Sequence, residues 1–411
     1  MSDLYELPNG WEWKELQSFG KFLRGVTYKK EQLLETKTED SLILLRANNI
    51  QNELNLDEVQ FIPKDVGKGK VIEDGDILFA MSSGSKHLVG KNILLNGLNN
   101  HTFGAFCSVY RNVKKDILSN YFLSYILKSN LYREKLSDLS MGANINNLKS
   151  SDLEIIKIPL PPLSEQQRIV SKLDLLFEKI DKSIALHQKN MDEANVFIGS
   201  VLNDVFGELN TDETIALKHI TSKIGSGSTP RGGQKAYKNE GISLIRSMNV
   251  HDNGFRIKGL AFIDDEQANK LDNVTIKEND ILLNITGASV ARCCIVDKNY
   301  LPARVNQHVS IIRLDDKFIP QFLHYYLISP SIKFDLLFSS SGGATREAIT
   351  KSMLEEFQVP KISMIIQEKV VKYLDEISQK IEKVKSVQKG KMDSLKALKA
   401  SILDRAFRGE L

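Results

Sequence analysis

The sequence predicts an α+β protein: two mixed α/β globular domains separated by a long antiparallel two-helix coiled coil. Three observations carry this expectation. The chain is written twice, each copy alternates short apolar runs with turn-rich segments, and each copy closes with a long amphipathic stretch of sustained heptad spacing. The expected boundaries are 1–160 for the first globular domain, 161–209 for a central helix, 210–360 for the second domain and 361–411 for a C-terminal helix.

The repeat is read directly from the residues. "LLRANNI" at 44–50 aligns with "LIRSMNV" at 244–250, placing Arg46 over Arg246 and Asn49 over Asn249. "DGDILFAMSSGS" from 74 answers "ENDILLNITGAS" from 278, and "YFLSYIL" at 121–127 answers "QFLHYYL" at 321–327. "QQRIVSKLD" at 166–174 answers "QEKVVKYLD" at 367–375, and "VLNDVFGEL" at 201–209 answers "ILDRAFRGEL" at the C-terminus. The matches keep the same order in both halves. Within each globular part, runs such as "SLILL", "DILFAM", "ILLNI" and "HVSIIRL" read as strands, and "NYFLSYILKSNLYREKLSDL" has helical spacing.

The central stretch predicts a seam of Ile169, Leu173, Leu176, Ile180, Ile184, His187, Met191, Ala194, Ile198, Val201 and Val205, with Ser164 as N-cap and Gln167 completing a capping box. The C-terminal stretch predicts Val370, Leu374, Ile377, Ile381, Val384, Gln388, Lys391, Leu395, Leu398 and Ile402. Both helices are expected to span about 42 residues, or roughly 60 Å. Residues 163–209 hold five Lys/Arg against eight Asp/Glu, and residues 361–411 hold twelve against seven. An acidic and a basic helix with matching seams favour pairing with each other, and antiparallel pairing is expected to hold the two domains at opposite ends of a strut. The competing arrangement is two ordinary surface helices on separate cores.

Composition narrows the class. Hydrophobic residues are 42% and charged residues 26% of the 411, which is ordinary for a soluble protein. There is no basic segment followed by an apolar stretch near the start, and no run reaches the roughly 18 apolar residues of a membrane span, so a cytoplasmic location is expected. Cys107, Cys293 and Cys294 form no CxxC spacing and read as small buried apolar residues. The net charge of +3 decides nothing about partners. No P-loop, HExxH, nucleophile elbow or Asn/Asp-Pro-Pro-Tyr/Phe signature is present, and the histidines show no ligand spacing. The expectation is a chain without catalytic or metal-binding residues and without a cofactor of its own.

Four stretches carry a family resemblance: "LPNGWEWKEL" near the start, "PLPPLSEQQRIVSKLDLLFEKIDK" at the centre, "SGSTPRGG" in the second half and "SILDRAFRGEL" at the end. The chain resembles the DNA-specificity subunit of type I restriction-modification systems along its whole length. It departs at "KISMIIQEKV", which stands where the first half has "LPPLSEQQRI". The resemblance implies two target-recognition domains, each reading half of a bipartite, asymmetric site in double-stranded DNA. It further implies helices that act as a ruler and dock two methyltransferase (modification) subunits, with two restriction subunits in the same assembly. AdoMet, ATP and Mg would then sit on those partners.

Base reading needs paired donors and acceptors, and phosphate positioning needs Arg, Lys, hydroxyls and free N–H groups. In the second domain "KIGSGSTPRGGQKAYK" supplies Ser228, Thr229, Arg231, Gln234, Lys235 and Tyr237 on a glycine-rich loop whose spacing fits no nucleotide cradle. "NITGASVARC" supplies Thr286, Ser289 and Arg292; "RVNQH" supplies Asn306 and Gln307; "SSSGGATREAIT" supplies Thr345 and Arg346. The first domain offers Arg24, Tyr28, Lys29 and Lys30; Ser82, Ser83, Ser85 and Lys86; His101 and Thr102; and Asn144 and Asn146. Arg46 and Arg246, shared by the halves, read either as common phosphate anchors or as partners in structural salt bridges. Two other functions stay open at this stage: a coiled-coil adaptor binding proteins without DNA specificity, and a nuclease with an unrecognised metal site.

Overall fold

The computed structural model describes residues 5–51, 53–82, 89–140, 147–209, 213–230, 232–338 and 348–411. The chain divides into two units. The first comprises Met1–His187 with Gly390–Leu411, and the second comprises Gln188–Lys389.

In the first unit, strands Gly20–Arg24, Cys107–Asn112, Ile77–Ala80 and Asn92–Leu94 form an antiparallel sheet in that order. A second sheet places Ser41–Leu45 between Gln60–Pro63 and His101–Phe103, the last pairing being parallel. The second unit repeats this plan. Thr221–Ser226, Val309–Leu314, Ile281–Asn284 and Cys293–Ile295 form one sheet, and Ile242–Ile245 lies between Ala261–Ile263 and a parallel Ala303–Val305 in the other. Strands such as "SLILL" and "ILLN" are buried on both faces, which is why they read as continuous apolar runs rather than alternating ones. Cys107, Cys293 and Cys294 are free and buried, and burial pushes the Cys107 and Cys294 thiols up to about 12.

The repeat extends to buried polar contacts. Arg111 donates to Asp76 in the first unit and Arg313 to Asp280 in the second, at 2.7 and 2.6 Å, with both carboxylates buried. The Asn49 side chain accepts from the Arg46 backbone N–H at 2.8 Å, and Asn249 accepts from Arg246 at 3.1 Å. The Tyr125 hydroxyl donates to Asp174, and the Tyr325 hydroxyl donates to Asp375 at 2.7 Å.

The two long helices are Leu163–Glu208 and Met364–Phe407, of 46 and 44 residues, a little longer than expected. In the first unit Asp181 meets Lys399 at 2.7 Å, and Arg168 donates to the Leu411 carbonyl at 2.7 Å. Numbers rising along one segment fall along the other, so the pairing is antiparallel. Ile169, Leu173, Phe177 and Ile180 share one core there with Leu403, Ala406 and Phe407. In the second unit Leu202 and Phe206 share a core with Leu374.

Three sequence expectations change. The central helix begins at Leu163, where the Pro162 carbonyl accepts from the Glu165 and Gln166 N–H groups, so Ser164 lies inside the first turn and is not its cap. Gln166, not Gln167, is the structural glutamine: it is fully buried, accepts from Ser119 N–H at 2.8 Å, and donates to the Ile117 and Pro161 carbonyls. Gln367 repeats the arrangement with Ile319, Lys317 and Ile362. On the C-terminal helix Val384, Lys391 and Leu398 face solvent, and the less exposed positions step through Ile381, Lys385, Gln388, Met392, Leu395, Lys399 and Ile402. Lysine is tolerated in such a row because its stem buries while its charge leaves sideways; Lys399 lies 4.6 Å from the Phe177 ring centre and reaches Asp181.

Gln166→Ala leaves three backbone groups without their partner. The expected loss is about 2–4 kcal/mol, read as a lowered urea midpoint, whereas the exposed Gln167→Ala changes it by less than about 0.5 kcal/mol. Equal effects at the two positions would contradict the assignment.

Candidate nucleic-acid interface

Strand pairing decides which loops meet. In the second unit Val309–Leu314 lies between two antiparallel neighbours, with Ser310 opposite Ser226 and Val309 opposite Asn284. The turn 306–308 that enters this strand is therefore flanked by the segment leaving Ser226 on one side and the segment leaving Asn284 on the other. Gly227 makes the first approach possible: a Cβ there would lie 1.7 Å from the Val305 carbonyl oxygen. The same crossing recurs in the first unit, where a Cβ on Gly25 would lie 2.0 Å from the Gly104 carbonyl oxygen.

The turns 104–106 and 306–308 are held by matching backbone bonds. Gly104 N–H donates to Leu45 and Asn306 N–H to Ile245, at 2.9 and 3.1 Å. Cys107 N–H returns to Gly104 and Val309 N–H to Asn306, and the carbonyls of Phe106 and His308 each accept at 2.9 Å, from Met81 and Ile285. Identical scaffolding thus presents Gly-Ala-Phe in one unit and Asn-Gln-His in the other.

In the second unit these three segments carry a chain of side-chain hydrogen bonds. The Thr229 hydroxyl donates to Gln307 Oε1, Gln307 Nε2 lies 3.0 Å from His308 Nε2, and His308 Nδ1 lies 2.5 Å from Thr286 Oγ1. Beneath them Asn284 is fully buried and donates to the Ser247 carbonyl at 2.9 Å and to Ser289 Oγ at 3.1 Å. Asn284 Oδ1 has no partner among the described residues. Of this cluster the sequence singled out Thr229, Thr286, Ser289 and Gln307. It passed over His308 and Asn284, whose only signal was their place in the quoted "RVNQH" and "NITGAS" stretches.

The other expected readers fall into distinct groups. Arg24, Lys29, Lys30, Ser228, Gln234 and Lys235 are exposed, as cationic and hydroxyl contacts to phosphate require. Tyr28, Tyr237 and Arg292 are half-buried, and Tyr28 packs on the Val26, Leu42, Leu44 and Ile62 cluster. Arg46 and Arg246 make no ion pair among the described residues. Arg246 instead sits 5.1 Å from the Tyr237 ring centre and donates to the Gly259 carbonyl, and the Nε of both arginines is buried without a partner among the described residues. Ser83, Ser85, Lys86, Asn144, Asn146, Arg231, Thr345 and Arg346 lie outside the described residues.

His101, Thr102 and Asn306 are corrections. Thr102 is fully buried and donates to the Lys70 carbonyl at 2.8 Å. His101, 7% exposed, shares its strand and bonds through Nδ1 to the Asn99 carbonyl at 2.7 Å. Asn306 is 4% exposed and its Oδ1 accepts from His308 N–H at 3.1 Å, fixing the turn rather than facing outward. Polar type alone does not say which face of a strand a residue takes. Among the described residues no cluster of three or more His, Cys, Asp or Glu could hold a metal ion, and no helix is long and apolar enough to cross a membrane.

The sequence profile described as the type I restriction modification DNA specificity domain matches residues 8–194 and again 213–389. The type I restriction enzyme StySPI specificity subunit of Salmonella potsdam is 32% identical over 99% of this chain and 90% of its own length. The EcoKI specificity subunit of Escherichia coli K12 is 29% identical with the same coverage. The fold also matches a chain solved in work on complex assembly and conformational transition of the type I R-M system, with a TM-score of 0.72 at 22% identity, covering 99% of this chain and all of that one.

Burial holds the His101 imidazole below its ordinary value, and protonation would leave an N–H at Nε2 with no acceptor among the described residues. The unfolded chain takes up a proton there as pH falls through about 6.5, while the folded chain does so only at lower pH. Stability of the first unit therefore falls as pH drops from about 6.5 toward the lower folded value. In His101→Gln the change in urea midpoint between pH 7 and pH 5.5 is expected to shrink; an unchanged difference would contradict a neutral buried imidazole.

Proposed function

The chain belongs to the type I restriction-modification DNA specificity family, and we propose that it reads a bipartite, asymmetric DNA site through its two similar halves. Residues 1–160 and 210–360 serve as the target-recognition domains, and the paired helices set the distance between the two stretches of sequence they read. The chain itself carries no chemistry in this reading. It brings two methyltransferase subunits to the site, with two restriction subunits joining the same cytoplasmic assembly, and those partners carry AdoMet, ATP and Mg.

The observation that supports this most strongly is one scaffold with different exposed side chains. The two halves share sheet order, buried ion pairs and turn hydrogen bonds. They differ where a turn faces outward, Ala105 and Phe106 in one half against Gln307 and His308 in the other. Two readers of one design with unlike contact residues read unlike half-sites, whereas identical surfaces would call for a palindrome. Base-edge contacts supply the sequence preference, and exposed cations such as Lys29, Lys30 and Lys235 supply salt-dependent phosphate contacts that carry none.

The test is sequence selection from a randomised duplex pool by the chain assembled with its methyltransferase partner. A split motif is expected, and replacing residues 1–155 by the matching segment of another family member should change one block of it and leave the other intact. Absence of any motif, or alteration of both blocks together, would contradict the reading and favour a protein-binding adaptor.

A further inference from the structure

We propose that Gln307 reads an adenine in the half-site held by the second unit, through an amide whose orientation is set in advance by Thr229 and His308. This rests on the DNA-reading function proposed above and adds the base and the residues that fix it.

A carboxamide offers two lone pairs and two N–H donors. At Gln307 one lone pair of Oε1 is taken by the Thr229 hydroxyl, and one Nε2 hydrogen is directed at His308 Nε2, 3.0 Å away. One acceptor and one donor remain on an exposed side chain. In the major groove adenine presents an acceptor at N7 and a donor at N6, which is the complement of that pair; guanine presents two acceptors, cytosine a donor, and thymine an acceptor beside a methyl group. A free glutamine can rotate its amide to suit another base. For Gln307 to do so, the Thr229 hydroxyl must turn from donor to acceptor and the His308 proton must move to Nε2 at the same time.

His308 is a positioning residue. Because Nε2 accepts from the Gln307 amide, the ring proton resides on Nδ1 and is donated to Thr286 Oγ1 at 2.5 Å. Thr286 follows the strand Ile281–Asn284, and the His308 carbonyl is bonded by Ile285 N–H at 2.9 Å, so the ring is tied to the sheet at its backbone and at its side chain. The chain Thr229 to Gln307 to His308 to Thr286 thus runs from one flanking segment to the other across the turn. The equivalent turn of the first unit has no such group: Ala105 and Phe106 stand in these places, and Phe106 is 70% exposed. One scaffold position carries a hydrogen-bonding reader in one half and an apolar contact in the other.

The test uses the chain assembled with its methyltransferase partner and a randomised duplex pool, comparing wild type with Gln307→Glu, His308→Phe and Thr286→Ser. Wild type is expected to enrich adenine at one position of one block. Gln307→Glu should lose roughly 10- to 100-fold of that preference and shift it toward cytosine, whose N4 donor a carboxylate accepts, with every other position unchanged. His308→Phe should weaken the adenine preference at that position only, and Thr286→Ser, which keeps the hydroxyl, should preserve it. A wild-type split motif left unchanged by Gln307→Glu would overturn this inference while the proposed function stood. An unchanged adenine preference in His308→Phe would overturn the positioning role, and no motif with wild type would overturn the function itself.

Discussion

The first unit's core does not close from residues 1–187 alone; it needs a helix segment delivered from 390–411, while the second unit's core is closed by the helix segments that flank its sheets on either side in sequence. In the first unit Phe407 is 1% exposed and meets Phe122 edge to face at 5.5 Å, while Tyr5 donates to the Phe407 carbonyl at 2.7 Å. Deleting a ring of that kind costs about 3–5 kcal/mol, a large share of the 5–15 kcal/mol that typically separates folded from unfolded domains. In the second unit Phe206 meets Phe322 and Tyr326 in the same manner, in a core that also holds Leu374. The antiparallel course of the helices is what brings segments 163–187 and 390–411 into one core in the first unit. The last turns of each helix complete a core in which the first turns of the other also take part.

Polar fasteners then fix each helix to its unit. Gln166 and Gln367 are fully buried and bonded to the backbone that precedes a short helix, and Tyr125 and Tyr325 reach a carboxylate eight residues further along the long one. These groups recur because both units solve the same problem of setting a sheet domain on a helix surface. The exposed turns were under no such constraint, and there the halves diverge. Shared scaffolding with divergent turns is what the proposed reading of two unlike half-sites requires.

Much of this was legible in the sequence. The duplication was visible because buried polar residues and apolar strands recur in the same order, and the long helices were visible because their seams persist for many turns. The errors have specific causes. Val384 and Leu398 drew the expected C-terminal seam onto aliphatic residues, whereas Lys385 and Lys399 occupy the row by burying their stems, a use of lysine that a hydrophobic pattern does not register. Ser164 looked like a cap because serine before an apolar run usually is one, but the Pro162 carbonyl had already opened the helix. Polarity marks His101, Thr102 and Asn306 as readers in the sequence, whereas the strand facing that buries them is not visible there. His308 carries no signal of its own in the sequence, because its contact with Thr286 appears only once the turn 306–308 and the strand Ile281–Asn284 are set side by side.

In the proposed function the paired helices govern the separation of two sequence-reading units. The most direct measurement inserts one heptad into each helix, at His187/Gln188 and at Lys389/Gly390, and selects binding sites with the assembled complex. Seven residues add about 10 Å of helix, close to three base pairs at 3.4 Å each. The account predicts that both sequence blocks persist while the gap between them widens by about three base pairs. Blocks retained at the original spacing would contradict it.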